Sequence, residues 1–291
     1  MTLSIILCCS VARGQLNPDL KESTNPEPIA LCIGISDRLA RLRALSTQAS
    51  PENSAARMWL HQDILEEVTA GSMQLDATIA QIDFEISSVN ALRSSLADAR
   101  DRAVNRLNLA GLVAGGGLGT VSSGLQLSQA QARNSTLIGI SAGVLSSAFA
   151  LAGIRAQHGR SKVLTANSNM LAELFGREPL PGSRYPDGIA MFLDQVPSGA
   201  EDSQTRGEHL IAAWVAEQRI EPLSTATGRQ AVDRITSRPS QPIRQSIEDL
   251  DNRAAMLADF RATISLMKQD LAGLLRSLPK AEAGEPYKEM R

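Results

Sequence analysis

The chain has 291 residues, which is enough for one or two domains with a packed core. Its 29 Lys and Arg nearly balance its 31 Asp and Glu, and a net charge of −2 argues against a nucleic-acid-binding protein. Aromatic residues make up only 3% of the chain, which disfavours a β-sheet and predicts an all-α fold.

The N-terminal segment 1–15 is typical of an export signal. A short apolar stretch, Leu3–Val11, is followed by small residues at the positions required for cleavage before Gln15. No Lys or Arg precedes the apolar stretch, so the alternative is an apolar N-terminal segment or a start further upstream. Cleavage would leave Cys32 as the single thiol, which predicts no internal disulfide. Residues 16–28 are polar and proline-containing, and they predict a flexible leader.

The region 29–106 is predicted to hold a first helix over Ile29–Thr47 and a long heptad helix over Pro51–Arg106. Apolar residues alternate at spacings of four and three along the second helix, which is typical of a coiled coil. The predicted coiled-coil seam consists of Leu65, Val68, Leu75, Ile79, Ile82, Ile86, Val89 and Leu96. Acidic residues beside this seam, among them Asp83 and Glu85, are expected to face solvent. An ordinary helical-bundle core is the alternative interpretation.

The region 107–155 is almost free of charge and predicts a glycine-rich apolar helical hairpin. Two uncharged runs, Leu107–Leu127 and Asn134–Ile154, flank a polar turn, and each has about the 20 residues that a helix needs to cross a bilayer. Small residues recur every fourth position in both runs, a glycine-zipper pattern that permits close helix packing. The predicted packing residues are Gly111, Gly115, Gly119, Ser123, Ser135, Gly139, Gly143 and Ser147.

This hairpin is a candidate transmembrane element, with one point against that interpretation and one conflict over its topology. Gly, Ser, Thr, Asn and Gln dilute both runs, so a glycine hairpin buried in a soluble helical protein is the alternative. Basic residues flank the hairpin on both sides, at 100–106 and 155–162, which would place both ends in the cytoplasm. A cleaved export signal would place both ends outside, so the topology stays open.

The region 156–242 is predicted to contain short helices and Pro/Gly-rich loops, with helices over 162–175, 189–196 and 208–219 and a connector over 224–242. Tyr185, in one of these loops, is a candidate recognition residue.

A C-terminal heptad helix is predicted over 243–279, followed by a tail over 280–291. Its predicted seam consists of Ile243, Ile247, Leu250, Ala254, Leu257, Arg261, Ile264, Lys268, Leu271, Leu275 and Leu278.

Motifs that carry chemistry are not evident. The glycine cluster at 114–119 completes no nucleotide-binding motif, and His61, His158 and His209 have no partner at metal-ligand spacing. We therefore predict no catalytic residue, no cofactor, no metal site and no enzymatic activity.

The layout of Pro51–Lys162, long helices bearing one apolar Gly/Ala-rich hairpin, resembles the alpha-helical pore-forming toxins of the cytolysin A type. This resemblance implies a secreted, membrane-inserting protein. The sequence itself favours a bacterial, membrane-associated envelope protein, exported across the inner membrane, with the hairpin as anchor and the coiled coil as interaction surface. The predicted partners are the lipid bilayer and either a second copy or another helical protein, with no nucleic acid. A soluble helical scaffold is a further alternative.

Overall fold

The protein is described by a computed structural model that covers residues 25–47, 51–126, 162–163, 169–200, 202–236 and 244–279. Helices dominate these ranges, which confirms the predicted all-α class. The elements, in chain order, are α1 (Glu27–Cys32), α2 (Ser36–Thr47), α3 (Pro51–Gln126), β1 (Lys162–Val163), a 3₁₀ turn (Glu173–Phe175), α4 (Asp187–Leu193), α5 (Arg206–Ala216), α6 (Ala226–Ile235), β2 (Arg244–Gln245) and α7 (Ile247–Ser277).

Helix α3 is continuous from Pro51 to Gln126 and includes nearly all of the first uncharged run. Proline at its first position fits the fixed φ of that residue, and no later proline interrupts the helix. The turn and the second run of the predicted hairpin lie outside the described residues, as do the candidate signal 1–15 and the tail 280–291. The hairpin therefore stays a prediction. Within the described ranges, no helix combines the length and apolarity needed to cross a membrane.

A break at Gly34 divides the predicted first helix into α1 and α2. Gly34 has φ +71°, a left-handed conformation that glycine adopts without steric cost and that commonly ends helices. The Ile35 N–H then donates to the Ala30 carbonyl at 2.9 Å, which closes the end of α1.

Two other local predictions are wrong. Instead of a helix over 162–175, β1 pairs antiparallel with β2, with Lys162 opposite Gln245, and a 3₁₀ turn follows over Glu173–Phe175. The predicted connector 224–242 contains α6, whose N-cap Thr225 accepts a hydrogen bond from the Gly228 N–H at 2.9 Å. Such a cap satisfies one of the free N–H groups at a helix start.

The described residues fall into two compact units, with boundaries inside α3 and α7. The first unit comprises residues up to Ser72, Asp187–His209 and residues from Leu266 onward. In this unit α1 lies directly on α4, and a Cβ at Gly188 would meet the Cys32 carbonyl oxygen at 2.6 Å. Only glycine permits this backbone approach.

The second unit comprises Met73–Pro186 and Leu210–Ser265. Its part of α3 lies antiparallel to α7, because Arg261 pairs with Asp83 at 2.7 Å and Arg93 pairs with Asp251. The α7 residues buried in this unit at spacings of three and four are Leu250, Arg253, Leu257, Phe260 and Ile264. Arg261, which was predicted on the seam of α7, is exposed instead.

Candidate functional site

The predicted seam residues of α3 differ in their burial. The buried ones are Val68, Leu75, Ile82, Val89 and Leu96. Ile79 and Ile86 are half-buried, and Leu65 is 38% exposed. The seven-residue repeat from Val68 to Leu96 therefore faces the interior. The other predicted column, which contains Leu65, Ile79 and Ile86, lies at the edge of that interior.

Two polar residues occupy the buried positions next to this repeat. Thr78 is 3% exposed and Glu85 is 2% exposed. The isoleucines that follow them, Ile79 and Ile86, are more exposed. The expectation that Glu85 faces solvent is thus wrong. Burying a carboxylate costs free energy unless it is paired and hydrogen-bonded, so its partners decide whether this arrangement is stable.

The partner of Glu85 is Arg253 on α7. The side chain of Arg253 has no exposed surface. Glu85 Oε1 accepts hydrogen bonds from Arg253 Nε at 3.1 Å and from Nη2 at 2.6 Å. Glu85 Oε2 accepts from the Met170 N–H at 2.9 Å, and Arg253 Nη1 donates to the Ile235 carbonyl at 2.6 Å. We call this set the ion-pair centre. It joins α3, the turn at Met170, the end of α6 and α7 through charge-assisted bonds.

Tyr185, the candidate recognition residue, lies beside the ion-pair centre and not on the surface. Its side chain is 4% exposed, its hydroxyl donates to the Met170 carbonyl, and its ring centroid lies 5.2 Å from that of Phe260. Burial raises the pKa of Tyr185 well above its usual range, and the charges of Glu173 and Glu85 raise it further. The hydroxyl therefore stays protonated and keeps its role as a donor.

Trp214 forms the other large buried contact of the second unit. It has no exposed surface, its Nε1–H donates to Asp259 Oδ2 at 3.0 Å, and its ring centroid lies 6.0 Å from that of Phe175. Burial raises the pKa of Asp259, whereas this hydrogen bond and the Arg219 guanidinium at 3.7 Å oppose the rise.

A polar cleft of about 450 Å³ lies between the end of α5, α6 and the start of α7. Its two arginines are both paired, Arg234 with Asp249 at 3.1 Å and Arg219 with Glu217 at 2.5 Å. Ser246 and Asp249 also satisfy the N-terminus of α7 by a reciprocal capping box, with an Asp249 N–H to Ser246 Oγ distance of 3.1 Å. Both arginines and the Asp249 carboxylate of the cleft are therefore already engaged within the protein.

Metal-ligating side chains do not converge in the part of the chain that the structure describes, where no group of three or more His, Cys, Asp or Glu could hold an ion. His209 lies 3.1 Å from Asp202 as a half-exposed pair.

Cys32, in the first unit, is buried, and Gln195 Nε2 lies 3.1 Å from its sulfur. Burial raises the pKa of this thiol from 9.0 to about 11, against the opposing charge of Arg206 and the hydrogen bond from Gln195. Since the thiolate is the nucleophile, the folded protein keeps Cys32 unreactive at neutral pH.

We therefore expect slow alkylation of Cys32 in the folded protein. In a Cys8→Ser/Cys9→Ser variant at pH 8, reaction with a maleimide should be at least about 100-fold slower than in denaturant, since the thiol pKa is raised to about 11. The rate should rise as the pH increases toward 11. Native and denatured rates within tenfold of each other would contradict the burial of this thiol.

The predicted packing residues of the hairpin are only partly within the described chain. Gly111, Gly115, Gly119 and Ser123 lie on α3, where four-residue spacing places them along one face. Their predicted partners on the second run lie outside the described residues. Leu96 is 5% exposed, and no side chain described beyond it on α3, from 97 to 109, is buried. Full burial on α3 therefore ends at Leu96, although half-buried residues continue up to Leu107.

Comparison with known protein families, characterised proteins and solved structures finds no match for this chain. The assignment of function therefore depends on the geometry alone. Sequence reasoning did not find Arg253 or its pairing with Glu85. One signal could have indicated that Arg253 is buried. It lies seven residues before Phe260, and residues seven apart lie on one helix face.

Proposed function

We propose that this chain is a non-enzymatic, membrane-associated helical protein of the cell envelope. In this proposal the uncharged run of α3 is part of the membrane contact, and the helical body binds a second copy or another helical protein. The observation that carries the proposal is the course of α3, which continues into the uncharged run after its last described buried residue, Leu96.

The loss of full burial on α3 beyond Leu96 supports this assignment. Leu109 is 63% exposed and lies near the start of a run without charged residues. A single exposed leucine is ordinary, but a contiguous apolar stretch left in water marks a lipid or protein contact site. Glycines also cost helix stability in water, by about 1 kcal/mol each relative to alanine, and close helix packing in lipid is one compensation for that cost.

We propose export across the inner membrane, with residues 1–15 as the signal and the envelope as the destination. Secretion is the alternative. A cysteine in the predicted turn, at Arg133, would report the orientation of the hairpin by labelling in whole cells.

Flotation with liposomes tests the membrane contact. The Leu112→Arg/Leu118→Arg variant should lose most of the fraction that floats with the vesicles, because each charge in the hydrocarbon costs about 2.5–3.5 kcal/mol. The matched control is Ala77→Arg/Ala80→Arg, which adds the same two charges to exposed positions of the same helix within the folded body. This control should float like the wild type.

Equal flotation of both variants would contradict insertion of the α3 run, and absence of wild-type flotation would contradict membrane association altogether. Purification of the wild type as a monomer without detergent, with no flotation, would favour the soluble-scaffold alternative.

A pore-forming function is the second candidate, favoured by the uninterrupted helix that carries the uncharged run. Release of a dye from loaded liposomes separates the two functions. Leakage at protein concentrations that give flotation supports pore formation, whereas flotation without leakage supports an anchor.

A further inference from the structure

Helix α3 carries two overlapping apolar columns within the second unit. Both share the buried repeat Leu75, Ile82, Val89 and Leu96. One column adds Thr78 and Glu85, three residues after a member of the repeat. The other adds Ile79 and Ile86, four residues after a member of the repeat. The first column continues to the half-buried Leu92 and the second to the exposed Arg93. Either spacing forms a heptad seam.

The observed packing selects the more polar column. Thr78 is 3% exposed and Glu85 is 2% exposed, whereas Ile79 and Ile86 remain half-buried. The hydrophobic effect alone favours the opposite choice, because isoleucine gains more than threonine or glutamate from leaving water. A buried interaction must therefore hold α3 in its observed rotation, because the exposed pairs of Asp83 and Arg93 with α7 contribute little.

The ion-pair centre is that interaction. Arg253 binds Glu85 through two donors at 3.1 and 2.6 Å, and the Met170 N–H fills the second carboxylate oxygen at 2.9 Å. A buried ion pair adds little net stability, since desolvation offsets its attraction. Its best-attested role is to fix the register of packed helices, because other arrangements leave a buried charge unpaired.

We infer that the Glu85–Arg253 pair is a register lock for α3, which means that the pair fixes the rotation of α3 about its own axis. When the pair is broken, α3 turns about its axis by less than one residue step of about 100° and buries Ile79 and Ile86 in place of Thr78 and Glu85. Because α3 is one continuous helix to Gln126, the face with Gly111 and Gly115 turns with it. The consequence for membrane contact rests on the proposed function, whereas the rotation itself does not.

Thiol accessibility in the full-length chain tests the lock. In a Cys8→Ser/Cys9→Ser/Cys32→Ser background, Thr78→Cys and Ile79→Cys are made separately and reacted with a maleimide. With Glu85 present, Cys at 78 should react at least about tenfold more slowly than Cys at 79, because only the first position is fully buried. In the Glu85→Ser/Arg253→Met background, which leaves neither charge buried and keeps residue 85 polar, this order should reverse.

Two control backgrounds isolate the cause. Asp83→Asn breaks the exposed pair with Arg261 two residues earlier, and it should leave the order of reactivity unchanged. Adding Ile86→Ala to the Glu85→Ser/Arg253→Met background removes the apolar gain of the alternative face, and this variant should not reverse the order.

An unchanged order in a folded Glu85→Ser/Arg253→Met protein would overturn the register lock. If this protein does not fold, a Glu85→Thr/Arg253→Leu variant replaces it and should show the reversed order. Failure of that variant to fold would show that the pair is needed for folding itself, and would also overturn the inference. The maleimide reactions contain no membrane. Their outcome therefore does not depend on whether the protein floats with liposomes.

Discussion

Replacing Arg253 with alanine is expected to lower the free energy of unfolding by about 3–5 kcal/mol. The guanidinium has no exposed surface, and its removal takes two charge-assisted donors from the buried Glu85 carboxylate. The Ile235 carbonyl also loses a hydrogen bond of 2.6 Å. Urea denaturation followed by far-UV circular dichroism measures the loss as a lower midpoint.

The matched control is Arg261→Ala, on the same helix. Arg261 pairs with Asp83 at 2.7 Å, but both side chains are nearly half exposed, at 46% and 48%. Exposed pairs contribute about 0–1 kcal/mol, so this variant should unfold close to the wild type. A loss for Arg253→Ala no larger than for Arg261→Ala would contradict the buried geometry.

The sequence predicted α3 as a helix but could not select between its two apolar columns. Heptad periodicity identifies Leu75 and Ile82, which are buried. The choice between Ile79 and Thr78 at the next position depends on a tertiary partner. Glu85 meets Arg253 across 168 residues of sequence, a separation at which helical periodicity carries no information.

The seam of α7 could have been predicted better. The predicted column of Ala254, Arg261, Lys268 and Leu275 contains two charged residues that are exposed. The observed column one residue earlier contains Phe260, Met267 and Leu274, all buried and more apolar. Comparing the summed apolarity of the two columns would have identified the observed one. Arg253 is the only charged residue among the four positions 253, 260, 267 and 274.

Local signals explain the remaining differences. Gly34 and Thr225 are ordinary markers of a helix end and a helix start, so the break after α1 and the presence of α6 were accessible from the sequence. The pairing of Lys162–Val163 with Arg244–Gln245 was not, since two-residue strands have no periodicity. Their pairing depends on tertiary structure that brings distant residues together.

Trp214→Ala is expected to cost about 3–5 kcal/mol, the range for removing a large aromatic side chain from a core. The residue has no exposed surface and contacts Phe175 across 6.0 Å between ring centroids. Its loss leaves a cavity, and it deprives the Asp259 carboxylate of a donor at 3.0 Å. Because that carboxylate is partly buried, the missing hydrogen bond adds to the cavity term.

The chain supplies its own control for this prediction, because it has only two tryptophans. Trp59 is 66% exposed on α3, so Trp59→Ala should change the free energy of unfolding by less than about 0.5 kcal/mol. Fluorescence of the single-tryptophan variants provides a second readout, since Trp214 alone should emit at shorter wavelength than Trp59 alone. Equal unfolding midpoints for the two alanine variants, or equal emission maxima, would contradict the burial of Trp214 on which the core of the second unit depends.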